Sequence, residues 1–265
     1  MMSRIDFGAQ LRDWRRARGL SQLELASRAE VSQRHVSFIE TGRSRPSREM
    51  VIHLGLVLDV PPREQNLLLL SAGHAPAFNE TPLDDLEHIA GVLDFILQAH
   101  QPNIAIVVDR QWNLIRANTA ATRFISTLFP DPTSWMTPPI NVMRLNFHPE
   151  GIRLHMVDWE SSATGLLRRL ERDVASHPND AGLRDLLDEV RAYPGVGALR
   201  GGMPTARAGD LLVPVTYAID GQEISMFTTI ATIGEAHDLT LAELRLETFW
   251  PVDETSARRW KMLQA

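Results

Sequence analysis

The segment from Ser21 to Gly42 constrains the fold of this chain more than any other. It reads SQLELASRAEVSQRHVSFIETG, and Ser21 and Ser32 each stand directly before a short run with helical spacing. Glu24 follows Ser21 by three residues, which is the spacing of a capping box. Two helices that cross closely need small and apolar residues between them, and the segment supplies Ala26, Val31, Val36 and Ile39. The segment therefore predicts two short helices joined by a tight turn, from Ser21 to Glu40.

The outward-facing residues of the second helix carry groups that suit DNA bases. Gln33 can form two hydrogen bonds to adenine and Arg34 two to guanine, while Phe38 could contact a thymine methyl group. The N-terminal half of such a helix is the part that enters the major groove. The predicted base-reading residues are Ser32, Gln33, Arg34 and Phe38, and the predicted phosphate contacts are Gln22, Arg43, Arg45 and Arg48. The alternative is an ordinary helical hairpin without a DNA-binding role.

The same segment closely resembles the helix-turn-helix domains of the Xre or phage-repressor family. The resemblance rests on the Ser-Gln opening, the Leu-Ala of the first helix, the Val-Ser-Gln turn and the Ile-Glu-x-Gly exit, and it spans about residues 6–72. It implies a DNA-binding head that binds double-stranded DNA, usually as a homodimer. Glu30 departs from the pattern, since many such motifs have glycine there. We expect a positive φ at Glu30, at a cost on the order of 1 kcal/mol.

Charge and composition agree with a head that binds DNA and a second, acidic part. Residues 1–70 carry a net charge of +3, whereas the rest of the chain carries −9. Only the first part therefore has the charge that a polyanion favours. The absence of cysteine excludes disulfides, thiolate zinc sites, iron–sulfur clusters and cysteine nucleophiles. No apolar run reaches the ~18 residues of a membrane span, so we expect a cytoplasmic protein without membrane contact.

The pattern of elements predicts two domains. Residues 1–73 read as five short helices, one of which begins at Ser47 after Pro46. Residues 74–82 contain two prolines and read as a linker, and residues 83–265 read as the second domain. The second domain alternates between strand and helix patterns, with a turn at Asp220-Gly221. Its predicted strands are Ile104–Asp109, Trp112–Ala117, Leu211–Ile219, Glu223–Ile233 and Leu241–Trp250, and its predicted helices cover Leu83–His100 and much of Asn141–Tyr193.

A second resemblance covers most of residues 100–262. The runs Trp112–Asn118, Asn141–Gly151 and Asp158–Glu160 are similar to the ligand-binding region of the MmyB-like transcription regulators, which is related to PAS domains. This resemblance implies a sheet whose concave face is covered by helices and leaves an apolar pocket. The predicted fold class is therefore α+β multidomain: an all-α, phage-repressor-like helix-turn-helix domain followed by a PAS-like antiparallel sheet domain with inserted helices.

The second domain contains residues that could hold a small ligand. Methionine and aromatic side chains adapt to ligands of varied shape, although they more often fill a core. Arg144 and His148 lie four residues apart and could hold a carboxylate, unless they form a surface ion pair or a helix cap. The candidates are Trp112, Met143, Arg144, Phe147, His148, Met156, Trp159, Met226 and Phe227, with Trp250 as a further member. We expect an amphiphilic, fatty-acid-like ligand. The alternative is a domain that only binds another protein.

Enzyme motifs are missing from the sequence. It contains no His-Glu-x-x-His helix, no Gly-x-Ser-x-Gly elbow and no phosphate-binding loop. His148 and His155 are seven residues apart, without a third metal ligand at a suitable spacing. We therefore expect a transcription regulator without catalytic residues, metal or cofactor.

Overall fold

The chain divides into two compact units. The computed structural model describes residues 6–82, 87–131, 135–199, 214–233 and 238–264. Of these, residues 6–80 and 238–239 form the first unit, and the others form the second. Within the first unit, residues 74–80, part of our predicted linker, run beside the fifth helix, because the Asn66 side-chain oxygen accepts hydrogen bonds from the backbone N–H groups of Ala77 and Phe78.

The first unit contains five short helices. Three of them begin where the sequence predicts, because the hydroxyl groups of Ser21, Ser32 and Ser47 accept hydrogen bonds from backbone N–H groups of the first turn. The reciprocal bond from the Ser21 N–H to Glu24 completes the predicted capping box. The helices are α1 (Phe7–Ala17), α2 (Gln22–Arg28), α3 (Gln33–Glu40), α4 (Arg48–Val57) and α5 (Pro62–Ser71).

A close crossing between α1 and α3 fixes the centre of this unit. A Cβ atom on Gly8 would lie 2.6 Å from the carbonyl oxygen of Glu40, so only glycine fits at that position. Around the crossing, Leu11, Leu25 and Ile39 are almost fully buried. The core therefore holds α3 at a fixed orientation and leaves its opposite side to solvent.

The second unit joins an antiparallel sheet to seven helices and two short 3₁₀ turns among its described residues. The five strands have the order β2-β1-β5-β4-β3, so the last strand of the chain lies in the middle. The elements are α6 (Glu87–Ala99), β1 (Ala105–Val108), β2 (Leu114–Ala117), α7 (Thr119–Leu128), α8 (Val142–Phe147), α9 (Trp159–Ser176), α10 (Ala181–Ala192), β3 (Val215–Ile219), β4 (Gln222–Thr232), α11 (Leu239–Glu243), β5 (Arg245–Pro251) and α12 (Glu254–Gln264).

The register of the sheet places an acidic residue among apolar neighbours. Glu247 of β5 lies between Ile106 of β1 and Ile230 of β4, and the three side chains share one face. Helices cover this face, and their apolar residues form one core with it. The hairpin between β3 and β4 turns at Asp220-Gly221 as predicted, with positive φ at both residues.

Three sequence expectations differ from the structure. Trp112, expected at the start of a strand, lies in the turn before β2 with φ +67°, because its ring is buried in the core below the hairpin. Residues 241–243, expected as strand, belong to the short helix α11, since Leu241 packs beside α6 rather than in the sheet. Helix α12 was not predicted, and it brings Trp260 into the core. Parts of the predictions at residues 83–86 and 211–213 lie outside the described residues.

Candidate functional site: a DNA-reading helix and a ligand cleft

The first turn of α3 presents polar side chains to solvent. Ser32, Gln33 and Arg34 are exposed, while Val36 and Ile39 on the opposite side are buried in the core. Glu30, in the turn before α3, has φ +54°, which confirms the expected left-handed conformation. The turn therefore sends the chain into a helix whose N-terminal half is free to contact another molecule.

Two arginines flank the ring of Phe38 on this surface. The Arg34 Cζ atom lies 5.0 Å from the ring centroid, and the Arg43 Cζ atom lies 5.9 Å from it. Both distances allow cation–π attraction. Phe38 is half-buried, so its ring is fixed by the helix and holds both guanidinium groups beside α3. Arg45 and Arg48 are also exposed, between α3 and the first turn of α4.

A buried ion pair ties the end of α3 to α1 and α2. Arg15 donates to both carboxylate oxygens of Glu40, over 2.6 and 2.9 Å, and the Gln22 amide donates to the second oxygen over 2.8 Å. Burial would raise the pKa of Glu40, but the hydrogen bonds from Arg15 and Gln22 outweigh it and lower that pKa. Gln22, a predicted phosphate contact, is thus held in place by Glu40.

In the second unit, a cleft of about 250 Å³ opens beside α8 and α10. Two of the predicted ligand residues, Arg144 and His148, line it together. Its other lining residues are Trp135, Met136, Thr137, Pro139, Ile140, Asn141, Leu145, Glu189 and Tyr193. The walls therefore combine apolar and aromatic side chains with the charged and amide groups of Asn141, Arg144 and Glu189.

The polar edge of the cleft is built around an ion pair. Arg144 donates from Nε and Nη2 to both carboxylate oxygens of Glu189, over 2.8 to 3.0 Å, and the Tyr193 hydroxyl donates to the same carboxylate over 2.7 Å. The Arg144 hydrogen bond lowers the pKa of Glu189, and the Glu189 hydrogen bond raises that of Arg144. Burial and Glu189 raise the pKa of Tyr193 to about 12, so this hydroxyl stays protonated.

Aromatic rings form the walls next to this ion pair. The Trp135 and His148 rings stack with centroids 4.2 Å apart and an angle of 14° between their planes. The Tyr193 ring meets His148 at 5.5 Å and 77°. The Nδ1 atom of His148 accepts a hydrogen bond from the Glu150 N–H, so the neutral ring carries its proton on Nε2. The cleft thus combines a flat wall with a perpendicular one.

The other predicted ligand residues do not line this cleft. Trp112, Met143, Phe147 and Met226 are buried in the core, where they join the sheet to the helices. Met156 and Trp159 are half-buried and pack against the same core, and Trp159 stacks under the Arg153 guanidinium. Phe227 and Trp250 are half-buried neighbours in the register of β4 and β5. These large apolar side chains fill the core. Their residue types alone did not distinguish a core residue from a residue that lines a pocket.

The helix-covered face of the sheet also holds a polar cluster. Asp173 of α9 accepts hydrogen bonds from Trp112 Nε1, over 2.9 Å, and from Arg245, over 2.7 Å. Glu247 is 4% exposed and lies 3.3 Å from Arg169. Burial raises the pKa of Glu247 to about 6, although the positive charges of Arg169 and Arg245 oppose that rise.

Several residues of the two sites were missed in the sequence. Glu40 stands inside the recognised Ile-Glu-x-Gly exit, but nothing local indicates that Arg15 binds it. Glu189 and Tyr193 lie four residues apart on α10 and its end, a spacing that could have suggested a pair. Trp135 lies in an irregular segment without periodicity, so only the tertiary structure brings it to His148.

Two other kinds of site do not occur among the described residues. None of the helices there is both long and apolar enough to cross a membrane. Nor does that part of the chain hold a group of three histidine, aspartate or glutamate side chains that could bind a metal ion. His148 stacks on Trp135, and His155 packs edge-on against Phe129 at 5.8 Å.

Comparison with known proteins agrees with both units. Residues 6–68 match a helix-turn-helix domain family, and residues 90–263 match the MmyB-like transcription regulator ligand-binding domain. No curated protein matches the chain. The second match covers more than half of the sequence, and its position after a helix-turn-helix domain agrees with the two units of the structure. The chain is a DNA-binding transcription regulator and belongs to the MmyB-like family.

Proposed function

We propose that the first unit reads its operator through the first half of α3. Gln33 and Arg34 contact base edges in the major groove, and Arg43 binds a phosphate next to them. The exposure of Gln33 and Arg34 above a buried inner face carries this proposal. The full base-reading set is Ser32, Gln33, Arg34 and Phe38, and the phosphate set is Gln22, Arg43, Arg45 and Arg48.

Two substitutions separate base reading from phosphate binding. Arg34→Ala relaxes specificity at one base position of an operator selected with the intact protein. Arg43→Ala weakens binding to all sequences and reduces the slope of affinity against salt concentration. Arg16→Ala, which removes an exposed charge from α1, is the matched control. Unchanged binding by both Arg34→Ala and Arg43→Ala would show that α3 is not the reading helix.

We propose further that the second unit senses a small, partly apolar ligand through the cleft beside α8 and α10. The observation that carries this is the meeting of Arg144 and His148 in a cleft that also has apolar and aromatic walls. An amphiphile such as a fatty acid is the simplest ligand of this kind. Each buried methylene group contributes ~0.8 kcal/mol, so tail length would then govern affinity.

Native mass spectrometry of freshly purified protein tests whether a small molecule is bound. Delipidated protein is then titrated with fatty acids of graded chain length, and the thermal midpoint is measured. A ligand that controls transcription must bind the DNA-competent and incompetent states unequally, so operator affinity is measured with and without it. Protein that carries no ligand and shows no thermal shift, but binds another protein at this surface, would favour a purely protein-binding role.

We also propose that the regulator acts in the cytoplasm as a homodimer. Heads of this kind usually bind two half-sites about one helical turn apart. Light scattering of the protein with and without a two-site operator tests this. A single protomer bound to each operator would contradict it.

A further inference from the structure

The cleft is small for a ligand site, with a volume of about 250 Å³. Sites for drug-sized ligands usually hold ~300–1,000 Å³. A compact molecule therefore matches this volume better than a long alkyl chain does.

The walls favour a ring over a flexible chain. Trp135 and His148 form a flat stack, and the Tyr193 ring stands nearly perpendicular to His148. Aromatic rings attract each other in offset-stacked and edge-to-face arrangements, and both occur among the rings that line this cleft. An aromatic ligand gains from both geometries, while an alkyl chain gains only burial.

The polar edge offers hydrogen-bond donors to a ligand. The Nη1 end of Arg144 has no acceptor in the described part of the chain. The Nε2–H of His148 is a second donor, because Nδ1 is already an acceptor. A ligand that complements this edge must therefore carry an acceptor.

The charge of the edge is already balanced. Glu189 neutralises Arg144 through two parallel hydrogen bonds, and Tyr193 adds a third donor to the same carboxylate. A carboxylate ligand would meet the charge of Glu189, and an ammonium ligand would meet that of Arg144. A neutral acceptor avoids both repulsions.

We propose that the cleft binds a compact, neutral aromatic ligand whose oxygen accepts hydrogen bonds, such as an aromatic amide or ketone. This rests on the proposed sensor function, but it replaces the fatty acid considered there with a different class of ligand. Trp135 and His148 hold the ring, and Arg144 donates to the oxygen. Glu189 sets specificity, because its charge cancels that of Arg144 and disfavours acids.

Three probes test ring and charge separately by titration calorimetry on the full chain. 2-Naphthamide and 2-naphthoate share one ring system and differ in charge, while octanamide is neutral without a ring. We expect 2-naphthamide to bind at least about tenfold more tightly than either of the others. Equal or tighter binding of 2-naphthoate or octanamide overturns the proposal and leaves the sensor function standing.

Two variants are used, so that the test does not depend on one substitution that could disturb folding. Glu189→Gln exposes the charge of Arg144, so 2-naphthoate should gain about tenfold in affinity, and the preference for 2-naphthamide should fall by the same factor. Glu171→Gln is the matched control, because it breaks a similar pair with Arg191 outside the cleft. Trp135→Leu should weaken 2-naphthamide about tenfold and leave octanamide unchanged.

The neutral-ligand proposal and the sensor function can fail independently of each other. If no probe binds the wild type, or if Glu189→Gln folds normally and leaves the preference for the amide unchanged, the neutral-ligand proposal is wrong. Native mass spectrometry still decides the sensor function independently, because it detects any small molecule that copurifies with the chain.

Discussion

Replacing Glu247 by glutamine should stabilise the protein at neutral pH and not in acid. The carboxylate is 4% exposed, and burial raises its pKa to about 6 from an ordinary value of 4.5. The difference between these two pKa values corresponds to roughly 2 kcal/mol of stability. Arg169 lies 3.3 Å away but is one-third exposed, so it compensates for the burial only in part.

The sign of the pH dependence follows from the direction of the shift. Because the folded pKa lies above the unfolded one, Glu247 is most favourable below about pH 4.5 and loses that contribution as the pH rises through about 6. Glu247→Gln keeps a neutral side chain at every pH. The variant should therefore match the wild type in acid and exceed it by up to about 2 kcal/mol above roughly pH 7.

Urea unfolding at a series of pH values measures this difference. Subtracting the unfolding free energy of the wild type from that of the variant at each pH cancels the titration of other groups. Glu223→Gln, at the exposed start of β4, is the matched control. A difference between Glu247→Gln and the wild type that stays constant from acid to neutral pH would refute the reasoning. So would a variant less stable than the wild type at neutral pH, because the ion pair with Arg169 would then outweigh the burial of the charge.

Three further substitutions test the first unit. Glu30→Gly relieves a φ of +54° and should stabilise the protein by up to about 1 kcal/mol in urea unfolding; a loss of stability would show that the turn is unstrained. Gly8→Ala places a Cβ atom 2.6 Å from the Glu40 carbonyl oxygen and should lower stability by about 1–3 kcal/mol, measured by thermal unfolding; an unchanged midpoint would contradict the close crossing. Glu40→Gln weakens the buried pair with Arg15 and should destabilise by about 3 kcal/mol at neutral pH. Because the pKa of Glu40 is lowered, that difference should shrink as the pH falls below about 4.5, and a difference independent of pH would count against the pair.

The sequence by itself determined the local features of this protein. Caps at Ser21, Ser32 and Ser47, the turn at Asp220-Gly221 and the positive φ of Glu30 depend on a few neighbouring residues, so they could be predicted from spacing and side-chain chemistry. The buried side of α3 followed in the same way from its helical period. That was enough to predict the α+β class and the exposed residues at the start of α3.

Only the tertiary structure decided which distant groups meet. Arg144 looked free to bind an acid, but Glu189, 45 residues later, binds it through two hydrogen bonds. Trp112 and Met226 looked like pocket residues and are buried in the core, because burial depends on what the other elements pack against a side chain. Glu247 became a buried charge only when β5 was placed between β1 and β4. Contacts of this kind are set by the packing of whole elements, and no local pattern in the sequence encodes them.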